Sequence, residues 1–200
     1  MNYKYTAKEK QIIYNYILRE YGQVDHIIFL SDEHIRVPIE YDILVIKKDD
    51  LQILMTFGLG AFKSHNHIEK TQERAEIFLE LPIDWDFSKY ENMWPVHFLI
   101  NIVKYSYSNH LTLKWLQTFV NPSYFNKSNK IAGFLDLSWY SENSLECKIN
   151  DDFFVSFYQI LIIDDEELFY AKTNGIRALS KFFDDGKSRI VDLNRKSFVK

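Results

Sequence analysis

Phe153-Phe154-Val155-Ser156-Phe157-Tyr158-Gln159-Ile160-Leu161-Ile162-Ile163 is an eleven-residue, nearly unbroken apolar run, interrupted only by Ser156 and Gln159. It is too short to cross a bilayer. Apolar residues at both odd and even positions mark a strand covered on both faces, the centre of a sheet. Upstream, Leu135, Leu137 and Trp139 alternate with Asp136 and Ser138, a second strand. Ala75, Ile77, Leu79 and Leu81 alternate with Arg74, Glu76 and Glu80, which predicts a half-buried strand with Phe78 on its outer face and Pro82 ending it. Tyr41 to Ile46 and Leu51 to Phe57 form a pair joined by the polar turn Lys47-Lys48-Asp49-Asp50, and Val24 to Leu30 precedes them.

Helices flank these strands. Thr6 with Glu9 three residues on is a capping box, Ile13, Tyr16, Ile17 and Tyr21 follow at helical spacing, and Gly22 closes the turn. Val96, Leu99, Ile100, Val103 and Tyr107 form one apolar helix face behind Pro95. Asp164 to Ala171 and Ile176 to Phe183 read as short helices, Arg189 to Leu193 as a last strand, and Asn121 to Lys130 as a polar surface loop. The sum is an α/β chain of the α+β type, a single mixed, largely antiparallel sheet flanked by helices. With no composition break, residues 1–200 are expected to form one domain.

The 200 residues are 46% hydrophobic and 26% charged, with only 6 Gly and 4 Pro, which excludes disordered and linker-rich readings. The single cysteine, Cys147, excludes an internal disulfide framework and a Cys-based zinc knuckle. The N-terminus lacks the apolar core of a signal peptide, so a cytoplasmic protein is expected. Net charge is −4, but residues 177–200 hold seven Lys/Arg against three Asp/Glu, a balance of +4 that leaves −8 on residues 1–176. An acidic body attracts basic partners and does not call for nucleic acid.

Several groups of residues could carry chemistry. His65 and His67, with Glu69 and Glu73, offer metal-ligand types but no closed four-ligand set, and solvated histidines explain them as well. Asp136 followed by Glu146-Cys147-Lys148 has the residue types of a metal-dependent nuclease, in which two carboxylates hold the metal and a lysine stabilises developing charge. A solvated hairpin is the plainer reading of that pattern. Gly58-Leu59-Gly60 lacks the third glycine and lysine of a phosphate loop. Asp164-Asp165-Glu166-Glu167 suits a helix N-terminus, with Asp164 as cap and Glu167 at the third position, and could also face a basic partner. Asp84-Trp85-Asp86 is either a core anchor at a strand exit or an interface anchor.

The order of these landmarks resembles the suppressor-of-fused domain family. The quoted residues are Thr56-Phe57-Gly58, then Arg74-Ala75-Glu76-Ile77 through Leu81-Pro82, then Trp94-Pro95 at a helix start. Phe157-Tyr158-Gln159 and Glu166-Glu167-Leu168 complete the series, and the resemblance covers roughly residues 24–183. The chain departs from the family where Gly58-Leu59-Gly60 replaces a Gly-Met-Ser continuation, and where Leu116-Gln117-Thr118 stands near a Gly-His-Thr stretch. The resemblance implies binding, not catalysis. Animal members sequester a transcription factor, and stand-alone bacterial members resemble immunity proteins paired with toxins, often nucleases. The expectation is therefore an immunity protein (antitoxin) that binds a cognate, basic toxin domain, with no cofactor, no metal, no direct nucleic-acid contact and no membrane. Expected partner-binding residues are Asp84, Trp85, Asp86, Tyr90, Asp164, Asp165, Glu166 and Glu167. Two other readings are an adaptor that captures a peptide by addition to a sheet edge, and a hydrolase built on Asp136, Glu146 and Lys148.

Overall fold

The computed structural model describes residues 3–29, 37–62, 74–138, 140–151, 153–184, 186 and 188–199. The expected ends at Leu30 and Trp139, and the His65/His67 segment, lie outside them. The strands are β1 (Gln23–Ile28), β2 (Asp42–Lys48), β3 (Leu51–Phe57), β4 (Arg74–Pro82), β5 (Thr118–Val120), β6 (Lys130–Leu137), β7 (Glu146–Lys148) and β8 (Phe154–Asp164). The helices are α1 (Ala7–Glu20), α2 (Trp94–Ser108), α3 (Asp165–Asn174) and α4 (Ile176–Ser180). All eight strands share one sheet in the order β1-β2-β3-β4-β8-β6-β5, with β7 also on β8. Every pairing is antiparallel except β4 with β8.

The long run that opened the sequence reading is the inner strand β8, shared by three neighbours. β4 pairs along one side, while β6 and then β7 take successive lengths of the other. Its even residues Ile160 and Ile162 join α2, β2–β4 and β6 in the largest apolar cluster. Its odd residues serve two clusters on the opposite face. Val155 and Phe157 pack under α1, and Leu161 and Ile163 pack under α4 and the chain's end. Gln159 lies between those two odd-face clusters.

Local signals place the flanking helices. In α1, Glu9 N–H donates to Thr6 Oγ1 at 3.2 Å and Thr6 N–H to the Glu9 carboxylate at 2.8 Å, the reciprocal capping box. Pro95 sits in the first turn of α2, where its missing N–H costs nothing.

Four expectations change. β4 is buried on both faces, and Phe78 is fully buried beside Tyr21. Its alternation is real, but each polar residue meets an internal partner, so α1 can close the second face. Arg189 to Leu193 forms no strand. It is a strap in which Val191 N–H donates to Glu80 O at 2.9 Å and Arg189 is driven into the interior. The 121–130 segment is only partly a surface loop, because Phe125 is buried against Trp94 and Phe98 and Lys130 begins β6 fully buried. The strands of the β2–β3 pair also run through Lys47 and Lys48, leaving only Asp49-Asp50 as the turn.

Gly58 shows how tightly the β3 exit is folded. Its φ is +126°, and a Cβ there would lie 2.3 Å from Glu40 O and 2.7 Å from Tyr41 Cα. Gly58→Ala is expected to lower stability by about 2–4 kcal/mol, read from urea denaturation. An unchanged midpoint would show that this backbone geometry is not required.

Candidate functional site

The polar residues that carry the resemblance assemble, but inside the protein. Glu76 of β4 is fully buried. It accepts hydrogen bonds from Tyr5 OH at 2.6 Å, Thr56 Oγ1 at 2.6 Å, Gly58 N–H at 2.9 Å and Gly60 N–H at 3.1 Å. The Gly-Leu-Gly turn thus cradles the chain's own carboxylate in place of a phosphate. Arg74, two residues earlier and on the same face, donates to Glu9 at 2.6 Å. On β8, Gln159 accepts from Arg189 Nε at 2.8 Å, and Arg189 Nη1 reaches Asp136 at 2.9 Å. Glu80 accepts from Tyr140 OH at 2.5 Å.

A third group closes the end of β8. Asp164 caps α3 through Glu167 N–H at 2.9 Å, and Asp164 N–H donates back to Glu167 at 3.0 Å. Lys130 Nζ meets Asp164 at 2.9 Å, and Arg195 grips Glu167 with two bonds of 2.6 and 2.8 Å. Asp164, Glu167 and Lys130 are all fully buried. Two of the eight expected partner-binding residues, Asp164 and Glu167, are therefore removed from any contact surface. Their charges are spent on the fold.

The hydrolase trio does not converge. Asp136 lies opposite Gln159 and shares its face, where Arg189 and Trp115 Nε1 hold it. Glu146 lies opposite Ser156, and Lys148 opposite Phe154, so both project from the other face. Cys147, between them, is buried, and burial pushes its thiol up to about 11, away from thiolate chemistry. Among the described residues no three His, Cys, Asp or Glu side chains gather as metal ligands.

The other expected residues gather at one end of the sheet. β4 and β8 are parallel, with Phe78 opposite Gln159 as their last pair, so both strands run out at the same end of the sheet. Asp84 and Tyr90 follow β4, and Asp165 and Glu166 follow β8; all four are exposed, Tyr90 to 87%. Asp86 is half-exposed, accepts from Ser88 and lies 3.7 Å from Lys89. Trp85 is half-buried, edge-on to Trp94, and its indole N–H donates to Asn92 O at 3.0 Å. The 121–127 segment joins the two sets. Phe125 packs on Trp94 at 4.5 Å, and Tyr124 OH donates to Asp165 at 3.2 Å.

Sequence reasoning missed two parts of this end. Tyr124 sits in a segment read only as a polar loop. β5, at three residues, is shorter than any periodicity can reveal. Its ladder uses Gln117 and Asn121 against Leu135 and Ile131, so the intervening Thr118 and Val120 turn their backbone groups to the open side. Beside them Phe98, Ile102, Tyr105 and Phe119 line an uncharged groove of about 440 Å³. The opposite edge, β1, is blunted by a bulge and by Asp25 bonded to both His26 and Lys47.

The sequence profile of the Suppressor of fused protein (SUFU) matches residues 38–196. The chain is 94% identical over 200 residues to the uncharacterized protein UU111 of Ureaplasma parvum serovar 3 (strain ATCC 700970), with 100% of both chains covered. Its fold matches a chain of the Sufu–Fu complex crystal structure at TM-score 0.69 and 12% identity, covering 98% of this chain and 92% of that one. It matches Drosophila Suppressor of Fused at TM-score 0.68 and 13% identity, covering 94% of this chain and 49% of the other, about half its length. At such identities the likeness is one of fold. Among the described residues no helix is long and apolar enough to cross a membrane.

The internal pairs make stability depend on pH. Partial burial pushes the Glu9 carboxyl up, but bonds from Arg74 and Thr6 outweigh it and hold it below its usual range. Its contribution is therefore full above the unfolded value, about pH 4.3, and is lost as pH falls through the native one. Glu76 runs the opposite way. Burial raises it despite four donors, so its contribution fades as pH rises. Comparing Glu9→Gln with the native protein cancels the Glu76 effect. The variant should be less stable by about 2–4 kcal/mol at neutral pH, because nearly buried Arg74 loses its counter-charge. That gap should narrow in urea titrations as pH falls below about 4. A gap independent of pH would contradict the pairing.

Proposed function

The chain belongs to the Suppressor of fused family, and from that premise we propose that it acts by holding another protein, as an immunity protein that neutralises a cognate toxin domain without chemistry of its own. The observation that carries this reading is the gathering of exposed acids and rings at the one end of the sheet where β4 and β8 emerge. Asp84, Asp86, Asp165 and Glu166 would steer a basic domain such as a nuclease toward that end. Tyr90 and Tyr124 would become the buried anchors, since exposed aromatic side chains supply most binding energy at small cost in rotamer freedom. Trp85, tied to Trp94 and Asn92, would hold the Asp84–Tyr90 segment in shape. That one structure with this fold is a Sufu–Fu complex supports a protein as partner. The expected action is cytoplasmic, as one domain, before the toxin meets its target.

A second reading is favoured by the contrast between the two sheet edges. An extended peptide could add to β5, pairing with the outward groups of Thr118 and Val120 and seating side chains in the neighbouring uncharged groove. Val120→Pro removes one outward donor and leaves the pairing to β6 intact.

Co-expression with each adjacent toxin gene tests the proposal. Growth should be restored by the native protein, and lost with Tyr90→Ala combined with Asp84→Lys while the variant stays folded. Rescue abolished by Val120→Pro but not by that double change would favour edge capture. No rescue with any adjacent toxin would contradict the immunity reading.

A further inference from the structure

Helix α3 packs Leu168, Tyr170 and Ala171 against the core, yet its one fully buried residue is Glu167, while Phe169 is 72% exposed. An ordinary surface helix buries its aromatics, and the exposure of this one has a physical cause. Glu167 is drawn inward by Arg195, by Phe198 N–H at 2.9 Å and by its capping exchange with Asp164. With Glu167 fixed inward, Phe169 two residues later is turned toward solvent. It stands over an open depression of about 520 Å³ with Tyr170, Val199, Asp165 and Glu166. Thr173 and Asn174 also line it, but Thr173 Oγ1 bonds back to Phe169 O at 3.1 Å and Asn174 Nδ2 to Tyr170 O at 3.2 Å. Among the described residues no Lys or Arg lines the depression. Asp165 and Glu166 form no ion pair among the described residues.

We propose that this depression docks a protein segment carrying an arginine beside an aliphatic side chain. The guanidinium would lie on the exposed Phe169 ring and donate to Asp165 and Glu166, and the aliphatic neighbour would cover the half-exposed Tyr170 at the floor of the depression. The charge fits, and so does the geometry. Arginine is the cation that stacks on rings while bonding carboxylates through a planar fork, which lysine does not reproduce. The proposal deepens the protein-binding reading and rests on it for its biological partner, but the site itself can be probed without the toxin.

The probe is a fluorescein-labelled twelve-residue Gly/Ser peptide with a central Arg-Leu-Arg, alongside versions with Lys-Leu-Lys and Glu-Leu-Glu. Titrations of the intact protein are read by anisotropy, and amide shifts locate the site. The arginine peptide should bind, with shifts concentrated in residues 165–174, and binding should weaken with salt. Lysine should bind less tightly and glutamate not at all. Phe169→Ala and, separately, Asp165→Asn with Glu166→Gln should each weaken the arginine peptide about tenfold, a difference of about 1.4 kcal/mol. Phe169→Ala should keep the native melting temperature, since its ring is exposed, and the double variant should stay folded with a melting temperature lower by only a few degrees, the cost of two favourable charges at the α3 N-terminus. Absence of binding up to about 1 mM, the lower end of measurable affinity, would overturn the proposal. So would equal affinity in the variants, or shifts mapping to the β5 edge or to residues 84–90. A failed toxin rescue beside a positive peptide result would remove the immunity reading and leave this site standing; the reverse pattern would do the opposite.

Discussion

The carboxylate pair at the end of β8 sets the position of everything around it. Asp164 and Glu167 cap α3 reciprocally, and both are out of water. Neither charge is stable there without a cation, and the chain provides Lys130 from the start of β6 and Arg195 from the C-terminal strap. The Lys130 ammonium also donates to Arg195 O at 2.7 Å, so strand, helix and strap are tied at one point. Buried ion pairs of this kind recover little more than their desolvation cost when intact, but losing one partner is expensive. Their effect is to make one arrangement of these elements far better than its neighbours. Arg195 adds a second hold by lying over the Phe198 ring at 4.1 Å. Within the basic tail, Arg189 and Arg195 thus act as internal counterweights to buried acids, while Arg177, Lys181 and Lys196 stay exposed.

This pattern explains how much the sequence could tell. Both capping boxes, the inner strand β8 and the apolar face of α2 depend on neighbours within one or two turns, and all are legible. The errors came from distant partners. β4 alternates as a half-buried strand should, yet Glu76 finds Tyr5 and Thr56, and Glu80 finds Tyr140, across gaps that no local pattern encodes. Arg189 to Leu193 has strand-like composition, but Arg189 spends its donors on Asp136, Gln159 and Leu137 O, and the segment follows them in place of a ladder. Phe169 was hidden by the same rule that placed the helix. Capping fixes where α3 begins, and distant contacts, of Glu167 with Arg195 and Phe198 N–H and of Leu168 and Ala171 with the core, decide which face turns inward.

Family membership and partner identity separate for the same reason. Thr56, Gly58, Glu76, Gln159 and Glu167 carry the resemblance, and each is occupied inside the protein. They specify a sheet and its closure. The residues proposed for recognition, Asp84, Asp86, Tyr90, Tyr124, Asp165, Glu166 and Phe169, are exposed or half-exposed instead. Of these, only Glu166 stands within a quoted landmark, and its own side chain is exposed while its neighbour Glu167 does the structural task.

The central claim is that buried charge pairs at the sheet end organise the fold and turn α3 outward. A double-mutant cycle on Glu167→Gln and Arg195→Met, followed by urea denaturation at neutral pH, tests it most directly. Each single change should cost about 3–5 kcal/mol, and the double change distinctly less than their sum, with a coupling of about 2 kcal/mol or more. Single changes below about 0.5 kcal/mol, or strict additivity, would contradict it.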